Sequence, residues 1–242
     1  MIPIRCSLLA AGALAVAAPA FAQSYLMKPG AEAAPGGEAA PGAGAKSTAG
    51  CHCFRDRTFE LERPAAADPY ILATTRSSLL SAAFGPGKAS LVQAVMTGTA
   101  PEDLWVAHFA AARSGGDAGA LLAAKGAKGA WKPALAGAKG LDGPFAAALA
   151  RGAPDQELAG IAVDDVLVRR TGASADAVRA VRQAGASTEE TILATVLSRK
   201  LGSPAVPLLQ KVRSGKATWG RVLNDAGLVP KQMDGIVRAI VR

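Results

Sequence analysis

The feature that most limits what this chain can fold into is a long-range self-similarity punctuated by glycine. Shifting the sequence by 87 residues lays residues 77–122 on 164–209 without a gap. Gly85 then meets Gly172, Gly98 meets Gly185 and Gly115 meets Gly202, each at the end of an apolar-periodic run. Glycine tolerates the left-handed backbone that stops a helix, so these matches mark equivalent helix ends. Leu80/Leu167, Glu102/Glu189, Ala107/Ala194, Ala118/Ala205, Leu121/Leu208 and Leu122/Leu209 fall into the same register. One inserted residue brings Lys128 onto Lys216, Trp131 onto Trp219 and Leu135 onto Leu223. A tandem duplication of a short-helix module is the expected architecture.

The punctuation between glycines is helical throughout. In the first repeat, Ala67–Gly85, Lys88–Gly98 and Pro101–Gly115 read as helices, with Thr99 and Glu102 spaced as a capping box for the third. Asp117 is placed to cap Ala118–Lys128, and Ala130–Gly137 follows. In the second, Ser174, the Ser187/Glu190 pair, Ser203-Pro204, Thr218 and Pro230 open successive segments. No stretch alternates as a strand does. The predicted fold class is all-α: helical repeat 1 over 64–151 and helical repeat 2 over 152–242. Trp131 and Trp219, the largest apolar groups at equivalent positions, are the expected core anchors.

The N-terminus predicts an address. Arg5 precedes an apolar run from Cys6 to Ala18, and Ala20-Phe21-Ala22 forms a small-x-small cleavage site before Gln23. Residues 1–22 therefore read as a signal peptide, which places the mature protein in the periplasm or outside the cell with no transmembrane segment left after its removal. Residues 23–50 repeat Glu-Ala-Ala-Pro-Gly and are dominated by Gly, Pro and Ala. Such a composition buries too little to order itself, so a flexible linker is expected there. Residues 51–63 form a Cys-containing junction.

The string from Cys51 through Ala67–Gly85 to Glu102–Gly115 resembles a group of secreted Gram-negative bacterial proteins to which no activity is attached. The phrase Val212–Leu228 is similar to a Trp-Gly helical motif of other exported bacterial proteins, from which the first repeat departs with Trp131-Lys132. The resemblance spans about residues 51–228 and implies an envelope location and the helical repeat.

Groups that carry chemistry are scarce. The whole chain has two histidines and three cysteines. Cys51, His52 and Cys53 could bind copper or zinc. Three ligands on a short extended segment do not converge without a turn, however, and the spacing is not that of covalent haem attachment. In an oxidising compartment a Cys51–Cys53 disulfide, or a cross-link between chains, is favoured over metal. No cofactor is otherwise expected. His108 lies four residues after Leu104 and three after Trp105, on or beside an apolar face, and reads as a core or boundary histidine. The pairs Glu102-Asp103, Asp164-Asp165 and Glu189-Glu190 read as charges near helix starts, where they complement the helix dipole.

Charge completes the picture. The formal net charge is +8, and the excess concentrates in residues 151–242, with 14 basic and nine acidic groups. A basic surface of this kind suits nucleic acid, anionic lipid headgroups or acidic glycans; expected export argues against genomic nucleic acid and leaves an anionic envelope polymer, with Arg169, Arg170, Arg179 and Arg182 as candidates. The ordered expectations are a non-enzymatic envelope interaction or structural module with an unknown envelope protein as partner, a metal- or redox-active protein working through Cys51-His52-Cys53, and a binder of anionic polymers. Because the cysteines precede every helical period, replacing both with Ser should leave the thermal midpoint nearly unchanged. A stability loss above about 2 kcal/mol, the scale of a structural disulfide, would show instead that they staple the fold.

Overall fold

A computed structural model of the chain describes Phe54 and residues 56–241. The signal-type segment, the Gly/Pro/Ala stretch and the Cys51-His52-Cys53 cluster lie outside the described residues. Those described are all-helical. The order is α1 (Asp68–Phe84), α2 (Lys88–Met96), α3 (Pro101–Ser114), α4 (Ala118–Lys128), α5 (Trp131–Ala134), α6 (Gly143–Ala150), α7 (Asp155–Thr171), α8 (Ala175–Gln183), α9 (Thr188–Leu201), α10 (Ala205–Arg213), α11 (Trp219–Asp225), a 3-10 turn (Pro230–Gln232) and α12 (Met233–Ile240). Among the described residues no helix is long and apolar enough to cross a membrane.

Helices this short are marginal in water and must be held by packing. Four of them supply the centre. α1 packs on α3, α3 on α7, α7 on α9, and α9 back on α1. Burial on these helices is accordingly broad. Seven consecutive residues of α9, Thr191–Leu197, are buried, as are Leu104–Ala107 and Phe109–Ala111 of α3. On α1 even the hydroxyls go inside. Thr75 Oγ1 donates to the Ile71 carbonyl (2.7 Å), Ser78 Oγ to Asp234 Oδ1 (2.8 Å) and Ser81 Oγ to the Pro86 carbonyl (2.8 Å), so these three are paired.

The short helices cover this ring: α2 on α1, α4 on α3, α8 on α7 and α9, α10 on α9. The helix bounds of α1–α3 recur 87 residues later in α7–α9, and Gly85/Gly172 and Gly115/Gly202 occupy the same left-handed stop. Contacts between the two sets are reciprocal. α3 packs on α7 as α9 packs on α1, and α6 packs on α7 as α12 packs on α1. Each set thus closes on the first helix of the other. Trp131 and Trp219 are fully buried, 1% and 2% exposed. The Trp131 indole donates to Asp103 (2.9 Å).

The caps separate what local chemistry decides from what it does not. Asp117, Ser174, Ser187 with Glu190, and Thr218 cap as their spacing predicts. Thr99 does not. Pro101 lacks an N–H and holds the preceding residue extended, so Ala100 (φ −62°, ψ 136°) becomes the N-cap and makes no side-chain bond. Likewise Pro204 (ψ 139°) is itself the N-cap of α10, not its first helical residue, and Ser203 stands outside. The Asp164-Asp165 pair is not at a helix start but in the middle of α7.

The heads of α1 and α11 meet at a glycine. Asp68 at the head of α1 accepts the backbone N–H of Trp219 (3.0 Å) and Gly220 (2.8 Å), and Thr218 Oγ1 donates to the Pro64 carbonyl (2.7 Å). A Cβ at Gly220 would lie 2.9 Å from the Phe59 ring and 3.1 Å from the Pro64 carbonyl oxygen. Gly220→Ala should therefore destabilise the fold by about 1–3 kcal/mol in chemical denaturation despite its better helix propensity. Gly126→Ala and Gly235→Ala, at helical positions with nothing within 4 Å of the added Cβ, should instead stabilise by up to about 1 kcal/mol. Equal effects at all three positions would refute the close approach.

Candidate functional site

The site begins with the displaced acidic pair. Asp164 and Asp165 stand mid-α7 beside a groove of about 790 Å³ walled by α3, α6, α7 and α8. Its floor is apolar. Phe109 of α3 and Phe145 of α6 meet at 4.8 Å with rings tilted 45°, and Ile161, Val168 and Val178 extend the surface along α7 and α8. Its rim is built of guanidinium–carboxylate pairs. Arg182 clamps Asp164 through Nε (3.0 Å) and Nη2 (2.8 Å) and also donates to Thr188 Oγ1 (3.1 Å). Asp165 is shared, receiving Arg113 from α3 (2.9 Å) and Arg169 from its own helix (2.8 Å). The Arg113 guanidinium also lies over the Phe109 ring, 5.1 Å from its centroid. Arg179 pairs with Asp176 at 2.8 Å.

These pairs differ in strength. Arg113 and Arg182 are 24% and 22% exposed, hold several partners each, and fasten α3 and α8 to α7. Arg169 and Arg179, 63% and 62% exposed in i,i+4 and i,i+3 pairs, are the replaceable ones, because such surface pairs contribute little. Burial pushes the Asp164 carboxyl above the ordinary carboxylate range, against the downward pull of the Arg182 hydrogen bond and charge.

The surface in the equivalent register, between α12 and α1, is built differently. Ser77, Ser78 and Ser81 stand 87 residues before Asp164, Asp165 and Val168. These small side chains accompany a close α12, which buries Met233, Ile236 and Val237 and places Asp234 on Ser78 and, at 3.4 Å, on Lys88. Val92 and Val95 replace Arg179 and Arg182 there, and Ala82 replaces Arg169.

Of the four arginines singled out in the sequence, the fold brings Arg169, Arg179 and Arg182 to one groove. Arg170 turns away toward α1, donating to the Ala83 carbonyl (3.3 Å). Sequence reasoning missed Arg113, Phe109 and Phe145, which come from helices distant in the chain. It also placed Asp164-Asp165 at a helix start, although the Asp165–Arg169 spacing is that of a mid-helix pair. The cysteine–histidine cluster lies outside the described residues. Among those described, no three His, Cys, Asp or Glu side chains are grouped as a metal site requires. Comparison with family models, with curated proteins and with solved structures finds no match to the chain.

His108 sits apart from the groove, half-buried on α3, its ring stacked on Phe84 at 6.4 Å. Burial lowers its pKa below the ordinary 6.5, against an upward pull from Asp117. The folded chain therefore holds the imidazolium less well than the unfolded chain does. The stability tied to this group is complete above the unfolded pKa and is lost as pH falls through it toward the lower folded value. Thermal midpoints should drop between about pH 7.5 and about pH 5.5, and His108→Gln should flatten that slope. Identical slopes in both proteins would remove His108 as the cause.

Proposed function

We propose that this chain is an exported, non-enzymatic helical module that grips a protein partner of the bacterial envelope in the groove between α3, α6, α7 and α8. The observation that carries the reading is the groove's make-up: an apolar floor with a rim of both charge signs, of the size that accepts a few side chains. Its lining holds no hydroxyl, thiol, amine or imidazole. Both mid-helix carboxylates are engaged by guanidiniums. That is the chemistry of a recognition surface, with aromatic and arginine groups at its centre. A rim this balanced in sign suits a protein segment better than a uniformly anionic polymer.

The module is proposed to arise by tandem duplication, residues 64–151 and 152–242. Supporting this are the shared glycine register, the equal lengths of α1–α3 and α7–α9, and the reciprocal contacts between the two sets. On this view one groove was closed by α12 and the other kept open for binding. The signal-type segment, the Gly/Pro/Ala tether and the resemblance to secreted proteins support export to the periplasm or beyond, with the tether spacing the module from its anchor or exit point.

A photo-crosslinking residue installed at Val168 in the groove should capture one discrete partner in intact cells, whereas the same residue at Ala120 of α4 should not. Arg169→Glu combined with Arg179→Glu should abolish that adduct while leaving helicity intact. Equal labelling at the two positions, or none at Val168, would overturn the reading.

A further inference from the structure

A second face of the molecule has a different electrostatic character. The segment Phe59–Pro64 and the turn between α10 and α11 enclose a groove of about 570 Å³ whose polar wall is Lys211, Lys216, Thr218, Arg221 and Asp225. In the α7–α8 groove each lining guanidinium meets a carboxylate. Here three cations face one carboxylate, and that one is taken by Arg221 at 2.7 Å. Lys211 and Lys216 are exposed, and neither has an ion-pair partner among the described residues. The same face carries Leu61, 74% exposed against 39% for Met96 and 42% for Val229. Phe59 beside it is half-buried against the Gly220 backbone.

We propose that this face docks the protein onto an anionic lipid surface. Compact lysine ammonium groups lining the same groove as an outward apolar side chain match the boundary between lipid headgroups and acyl chains. The charges meet the headgroups and the leucine enters the apolar layer. A hydrated polyanion would satisfy the lysines and gain nothing from Leu61, so the exposed leucine decides for lipid. The face shares no residue with the α3/α6/α7/α8 groove and stands or falls independently of the partner assigned there.

The test is co-sedimentation of the full chain, as purified from expressing cells, with vesicles of phosphatidylcholine alone or mixed with phosphatidylglycerol, all variants sharing the same N-terminus. The wild-type chain should partition to the phosphatidylglycerol vesicles in a salt-sensitive way. Lys211→Glu with Lys216→Glu should lower that partition at least about tenfold. Leu61→Ser should weaken it while leaving binding to dextran sulfate unchanged. Lys132→Glu with Lys139→Glu makes the same change of charge at exposed positions elsewhere and should keep vesicle binding. Circular dichroism confirms that each variant is folded. Equal losses in the two double variants would reduce the effect to net charge and sink the proposal. Retained binding in Lys211→Glu/Lys216→Glu would also sink it, as would a Leu61→Ser protein indistinguishable from wild type, which would mark the face as a polyanion site.

Discussion

Everything in this fold depends on the closed ring in which α1, α3, α7 and α9 bury one another. None of these helices exceeds 17 residues, and helices of that length gain most of their stability from neighbours. The ring, covered by α8, α10 and α12, accounts for the burial of α9 along seven consecutive positions, and with α12 it encloses Thr75, Ser78 and Ser81 of α1. Each hydroxyl there finds a carbonyl or a carboxylate within 2.8 Å. It also explains why neither set of six helices closes without the other: α6 rests on α7 and α12 on α1.

The same ring creates the groove. Where α12 meets α1, serines let the helix settle closely. Where α6 meets α7, charged and branched side chains stand in the equivalent positions. Asp164 and Asp165 are then drawn into pairs with Arg182, Arg113 and Arg169. Placing a carboxylate mid-helix at a partly buried surface costs desolvation, which shows in the upward shift at Asp164. The arginines offset that cost, and their aliphatic stems and planar heads cover apolar surface at the same time, as Arg113 does over Phe109. A groove is thereby held open between α3, α6, α7 and α8.

The distribution of charge shows why a net count misleads. The C-terminal arginines on α7 and α8 suggest an anionic ligand when counted along the chain, yet Arg169, Arg179 and Arg182 each meet an aspartate. Part of the surplus lies instead in Lys211 and Lys216, at the end of α10 and in the following turn, which line the same groove as the outward Leu61. Net charge is a property of composition, whereas the field a partner meets depends on which charges are neutralised within reach.

Helix content, most helix ends and the register of the two sets were legible in the sequence, because these are local properties. Glycine stops helices through its own backbone freedom, and Asp117, Ser174, Ser187 and Thr218 cap through side chains that accept the backbone N–H three residues on. His108 was placed by helical periodicity at a half-buried boundary, and the two tryptophans were placed in the core by their size and matching positions. Where a proline intervened, at Pro101 and Pro204, the expected side-chain caps of Thr99 and Ser203 do not form, because the proline sets the helix start itself. The groove was not legible. Phe109 and Arg113 come from α3, Phe145 from α6, Asp164 and Asp165 from α7 and Arg179 and Arg182 from α8, and no local pattern states which of two similar helix seams closes. Only the tertiary structure decided that, because the outcome depends on the side chains of two distant helices meeting at once: small hydroxyls that permit contact on α1, and paired charges that hold the seam apart on α7.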